Sequence, residues 1–136
     1  MCLSVYIASD APLPERKWNE DAPDLYLEPV SESEGVCRQF RYRHVYYAVS
    51  HEGCGCGFSK DGRDSEELQR CQDNYRSLAG VVSSALHNGA GVPLFTCWEG
   101  EQTAKRETDG VVTVAQLLGA RFELQQLSLL TIDCGE

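Results

Sequence analysis

Leu68, Cys71, Tyr75, Leu78, Val82 and Ala85 recur at alternating spacings of three and four, which lays one apolar stripe along a helix. Asp64 with Glu67 three positions later is an N-terminal capping pattern, and Gly89 stands where a left-handed residue closes a helix. The spacing predicts a helix over about 64–88, roughly 35 Å long at ~1.5 Å per residue. A one-sided helix of that length has to be buried across a sheet.

The rest of the chain supplies the strands for it. Residues 2–9 are rich in β-formers, residues 25–30 form a short strand that Pro29 pushes to an edge, and 36–50 is the longest aromatic and β-branched run. Residues 92–98 and 122–132 complete the set, with 99–110 read as a polar loop. Thr113 and Gln116 repeat the capping chemistry ahead of Leu117 and Leu118, with Gly119 to close the turn, which predicts a second, short helix over about 113–118. A turn at Ser33, Glu34 and Gly35 makes 25–30 and 36–50 a hairpin, with Glu28 and Glu32 set across from Arg38, Arg41 and Arg43. The expected fold is α+β to α/β: a single domain over 1–136, a mixed sheet of about five strands, and the long helix on one face. Strands on either side of the long helix, 44–50 and 92–98, are expected to be parallel and joined by a right-handed crossover, so both end at one edge of the sheet.

Composition limits the functions open to this fold. With 136 residues, 42% hydrophobic and 24% charged, the chain can build one core and is not a disordered segment. A formal charge of −9 and a pI near 4.7 repel phosphate backbones, so nucleic acid is not an expected partner. The basic-aromatic run from Arg38 to His44 reads accordingly as a paired, half-buried strand. No apolar run approaches the ~20 residues that cross a bilayer, and residues 1–10 lack the charge and apolar stretch of a secretory signal. Seven cysteines, an odd number without framework spacing, point to reduced thiols and a cytoplasmic location.

The chemical lead is His51-Glu52-Gly53-Cys54-Gly55-Cys56-Gly57, a CxC motif among glycines. One imidazole and two thiols within six positions are soft-metal ligands, and zinc is the first ion such donors suggest. If the two parallel strands end at one edge, Cys97 or Glu99 becomes a fourth ligand, and Asp10 a further one if the first strand is parallel as well. The metal set expected is therefore His51, Cys54, Cys56 and Cys97. Three other readings compete. Cys54 and Cys56 can cycle between dithiol and disulfide as a thiol-based redox pair. The glycines can cradle an anion, with Lys60 and Arg63 as cations, although the acids at the following helix start oppose it. Most simply, the glycines serve a strand-to-helix turn and the cysteines are small buried hydrophobes, which makes the chain a non-catalytic interaction module or homo-oligomer using strand edges or the aromatics Trp18 and Trp98.

Other candidates are structural. Met1-Cys2 is similar to the start of the N-terminal-nucleophile amidotransferases in that dipeptide alone. Leu3-Ser4 replaces their Gly-Ile and Met1 covers the Cys2 amine, so Cys2 is read as a strand residue. Cys71 belongs to the helix stripe, His87 to the helix C-terminus and His44 to the strand, while Cys37 and Cys134 have no identifiable partner. No Ser-His-Asp order, HExxH or nucleophile elbow occurs, so neither a catalytic residue nor a small-molecule ligand is assigned.

Overall fold

The computed structural model describes residues 2–14, 16–17, 21, 24–86 and 91–133. Trp18, His87, Gly89 and Cys134, singled out above, lie outside the described residues. Six strands form one mixed sheet: β1 (Leu3–Ser9), β2 (Tyr26–Pro29), β3 (His44–Val49), β4 (Val92–Trp98), β5 (Thr108–Thr113) and β6 (Ser128–Asp133), with helices α1 (Ser65–Ala85) and α2 (Val114–Leu117). The spatial order is β2-β3-β1-β4-β6-β5. Among the described residues, no helix is long and apolar enough to cross a membrane.

The first strand takes the centre. All seven residues of β1 are buried, and β1 is antiparallel to both β3 and β4. Those two strands therefore run in the same direction on either side of it, joined through α1. Their carboxyl ends and the amino end of β1 share one edge of the sheet. Asp10, just beyond Ser9, lies at the opposite edge, because β1 is antiparallel rather than parallel.

Alternate residues divide the sheet into two faces. Val5, Ile7, Ala48, Leu94 and Ile132 meet α1, whose Tyr75, Leu78, Val82 and Ala85 are buried against them. Each valine, leucine and isoleucine among them contributes roughly 1.5–3 kcal/mol of burial. The second face carries Tyr6, Ala8, Val45, Phe95 and Cys97, covered by Val36 and partly buried side chains from the 37–42 segment. The Asp64 carboxylate accepts from the Glu67 amide at 2.8 Å and starts α1 as the capping pattern predicts. At the other end α1 stops at Ala85, with Leu86 extended, so the helix is shorter than 64–88. Leu68 is 38% exposed and leaves the stripe, while Asn74 joins it at 1% exposure.

Three expectations about strands change. The run 36–50 is a strand only over His44–Val49, because Gly35–Gln39 forms a 3-10 helix that crosses the second face. The β2-β3 pair is antiparallel, but Glu28 lies opposite Tyr47, and among the described residues no ion pair joins Glu28 or Glu32 to Arg38, Arg41 or Arg43. A sixth strand, β5, occupies the end of what reads as a loop. Its Asp109 and Gly110 are residues depleted in strands, and it is held by parallel pairing with β6. The final strand begins at Ser128, since the preceding segment turns so that the Leu124 amide donates to the buried Tyr75 hydroxyl at 3.0 Å. The short helix has both halves of the Thr113–Gln116 capping box.

Candidate functional site

The loop after β3 is bound down by three side chains. Ser50 Oγ donates to the Cys54 carbonyl at 2.5 Å and accepts from the Gly57 amide at 3.0 Å. Arg63, only 14% exposed, forms a two-pronged pair with Glu52 at 2.9 and 3.2 Å and donates to the carbonyls of Cys56 (2.7 Å) and Ser59 (2.6 Å). That guanidinium holds the Glu52 carboxyl below its usual range. Asn74, reaching from α1, accepts from the His51 amide at 3.1 Å and donates to the Gly57 carbonyl at 3.1 Å. These two bonds fix which end of the Asn74 amide is nitrogen. Its contact with His51 Nδ1 at 2.7 Å is then a donation, and the ring proton sits on Nε2.

The glycines have separate structural duties. Gly53 is left-handed with φ 82°. A Cβ on Gly55 would strike the Leu3 carbonyl, meeting Leu3 C at 2.8 Å and Ser4 Cα at 3.2 Å. The loop therefore lies directly on the first residues of β1, and only glycine permits that approach. Cys54 and Cys56 flank the contact point and come up beside Cys2.

The consequence is a cluster of three thiols. The sulfurs of Cys2, Cys54 and Cys56 all lie within 4.8 Å of one another, close enough to hold a metal ion. All three cysteines are half-buried, unlike Cys71 and Cys97, which are fully buried. The simplest reading of these cysteines, as small core hydrophobes, describes Cys71 and Cys97 and does not describe the trio. Two backbone amides point at the cluster: Leu3 N–H donates to Cys56 Sγ and Cys56 N–H to Cys54 Sγ, each at 3.4 Å. Burial pushes the Cys54 thiol up to about 12, and its two cysteine neighbours add to the shift.

Two residues expected at the site are elsewhere. His51 is not in the cluster: Nδ1 accepts from Asn74, and Nε2 carries the proton. Cys97, opposite Ser4 in the β1-β4 pair, points into the second-face core beside Phe95, where burial raises its thiol to about 11. Glu99 is at the correct edge, its amide donating to the Cys2 carbonyl at 2.7 Å. The two cations of the anion reading are both engaged. Arg63 binds Glu52 and the loop carbonyls, and Lys60 Nζ donates to Gln72 (2.9 Å), Gly119 O (3.2 Å) and Ala120 O (3.1 Å) with the Tyr75 ring 4.7 Å away.

The residue that sequence reasoning missed is Cys2. A signal was available: a residue at the amino end of a central antiparallel strand is brought to the carboxyl ends of its parallel neighbours. Beside the trio, at the same edge, a cleft of about 590 Å³ opens between Leu3, Trp98, Lys60 and Glu123. In comparisons with family models, curated proteins and solved structures, nothing matches this chain.

Proposed function

We propose that this protein binds a soft metal ion, zinc, through the thiolates of Cys2, Cys54 and Cys56. The observation that carries the reading is the convergence of three half-buried sulfurs within 4.8 Å. Thiolates are the donors that soft and borderline ions select, and three of them leave one tetrahedral position for water or an incoming ligand. The two N–H···S contacts support it, since amides aimed at sulfur favour the charged form that a metal needs.

The Cys54 thiol bears on the choice between metal and redox chemistry. Pushed up to about 12, it holds its proton at neutral pH and is a poor nucleophile for disulfide exchange. A bound cation supplies the compensating charge that the thiol lacks. The ligand set is tested by titrating reduced, metal-free protein with Zn²⁺ against a chromophoric chelator, and with Co²⁺ as a spectroscopic substitute. One equivalent should bind, with sulfur-to-cobalt charge-transfer bands. Cys2→Ser, Cys54→Ser and Cys56→Ser should each weaken binding by at least about 100-fold, since each thiolate carries a large share of a typical zinc-site free energy. His51→Gln and Cys97→Ser should change it less than about threefold. Absence of stoichiometric binding, or dependence on Cys97 instead of Cys2, would overturn the proposal.

A further inference from the structure

On the second face of the sheet, away from the thiols, a cleft of about 330 Å³ lies between the 39–42 segment and the edge formed by β5 and β6. That volume is at the lower end for small-molecule sites. Its apolar lining includes Pro93, Leu129 and the rings of Phe40 and Tyr42. Phe40 is fixed edge-on against Phe95 with centroids 6.5 Å apart. The wall is tied further by Gln39, whose amide donates to the carbonyls of Gln102 (3.0 Å) and Ala104 (2.8 Å). The rings are thus presented by a braced segment.

Two guanidinium groups stand at this cleft in a chain of net charge −9. Arg106 is held in place, donating to the Gln39 carbonyl at 3.0 Å and pairing with Asp109 at 3.2 Å. Asp109 is the only carboxylate among the lining residues, and it is engaged by that pair. Arg41 has neither a hydrogen bond nor an ion pair among the described residues. From Gly35 to His51 the chain holds Arg38, Arg41 and Arg43 and no carboxylate, so this stretch of the chain is positively charged. Among the described residues no acid of β2 pairs with Arg41, which leaves it open to a ligand.

We propose that this cleft binds a small planar organic anion, an aromatic ring bearing a carboxylate or a phosphate. The ring lies against Phe40, Tyr42 and Leu129, and the anionic group meets Arg41, with Arg106 beside it. Guanidinium matches either oxyanion in a two-pronged geometry, and aromatic walls select the flat apolar body.

Amide chemical-shift titrations of the full chain test this, with benzoate and phenyl phosphate as probes and benzamide and inorganic phosphate as controls. At least one probe should produce saturable shifts at Arg41, Tyr42, Gly91, Asp109 and Thr131, at least about tenfold tighter than either control. The stronger probe identifies the anionic group. Arg41→Gln, an exposed position, should keep the spectrum of the folded protein and weaken the probe about tenfold or more. Shifts confined to other regions, benzamide binding as well as benzoate, or undiminished binding by Arg41→Gln would each overturn the proposal. So would displacement of the probe by a single-stranded oligonucleotide at lower concentration, which would assign the basic-aromatic segment to nucleic acid.

Discussion

Gly55→Ala should damage the thiol cluster from a position that carries no ligand. The added Cβ would overlap the Leu3 carbonyl and sit 2.8 Å from Leu3 C and 3.2 Å from Ser4 Cα, all main-chain atoms of a central strand. Neither side can yield by rotating a side chain, so the loop must lift. Overpacking of this kind costs about 1–3 kcal/mol. Weakening of the Leu3 N–H···Sγ bond adds about 0.5–1 kcal/mol, and reduced freedom of the unfolded chain returns about 0.5–1 kcal/mol. The net loss is about 2 kcal/mol, read as a lower urea midpoint at unchanged m-value under reducing conditions. Gly53→Ala is the control: nothing lies within 4 Å of its Cβ, and only the left-handed backbone at φ 82° is penalised, by about 1 kcal/mol. A short bifunctional thiol reagent supplies a second readout. It should bridge Cys2 to Cys54 or Cys56 in the native protein and in Gly53→Ala, and much less in Gly55→Ala. Equal stability loss in the two variants, with equal bridging, would refute the close approach of loop and strand on which the cluster depends.

Asn74→Ala leaves the His51 amide and the Gly57 carbonyl without their partners in a buried site and should cost about 2–4 kcal/mol in urea denaturation. Because the Cys54 thiol is raised from 9.0 to about 12 in the folded state, its contribution to the metal-free protein is complete below pH 9 and is lost as pH climbs toward 12. Stability measured across that window should fall less steeply in Cys54→Ala. The same proton has to leave when metal binds, so zinc affinity should increase by about tenfold or more per pH unit through neutrality, followed by competition titration at several pH values. Glu52 titrates in the opposite sense. Lowered by Arg63, its carboxylate supports the fold above its unfolded value and loses that support as pH drops through the acid range, so Glu52→Gln should flatten the acid limb of a stability-pH curve.

The parts of the fold that were readable are those with a strong local pattern. The stripe over α1, the Asp64 cap and the Thr113–Gln116 box each involve residues three or four apart, where local geometry decides the outcome. The misreadings come from segments where distant partners decide. Asp109 and Gly110 are turn-forming residues at the end of a polar stretch, yet Thr108–Thr113 becomes a strand because β6 offers it a parallel ladder. The 36–43 run has the composition of a strand and becomes a 3-10 helix and bend, because the second face of the sheet needs a cover and Val36, Phe40 and Tyr42 provide it. Asn74 is polar on an otherwise apolar face, a signal that a buried hydrogen-bonding partner existed. Nothing local identifies that partner as the loop at 51–57.

The thiol cluster depends on topology in a way that can be followed step by step. A helical crossover makes β3 and β4 parallel, and this much was expected from the sequence. Placing another strand between them forces a choice: a parallel insertion brings its carboxyl end to the loop edge, and an antiparallel one brings its amino end. The first choice recruits Asp10 and the second recruits Cys2, eight residues away and chemically a different ligand. The observed antiparallel ladders on both sides of β1 make the second choice. Cys97 is left out by depth, since it pairs with Ser4, two residues further into β1 than Cys2, and is fully buried beside Phe95, whereas Gly55 seats the loop at the end of the strand. A reversal of β1 would remove Cys2 from reach. The composition of the site is therefore set by strand direction, and exchanging Cys2 with Asp10 should weaken zinc binding and remove one thiolate's share of the sulfur-to-cobalt charge-transfer intensity in a protein whose CxC loop is unaltered.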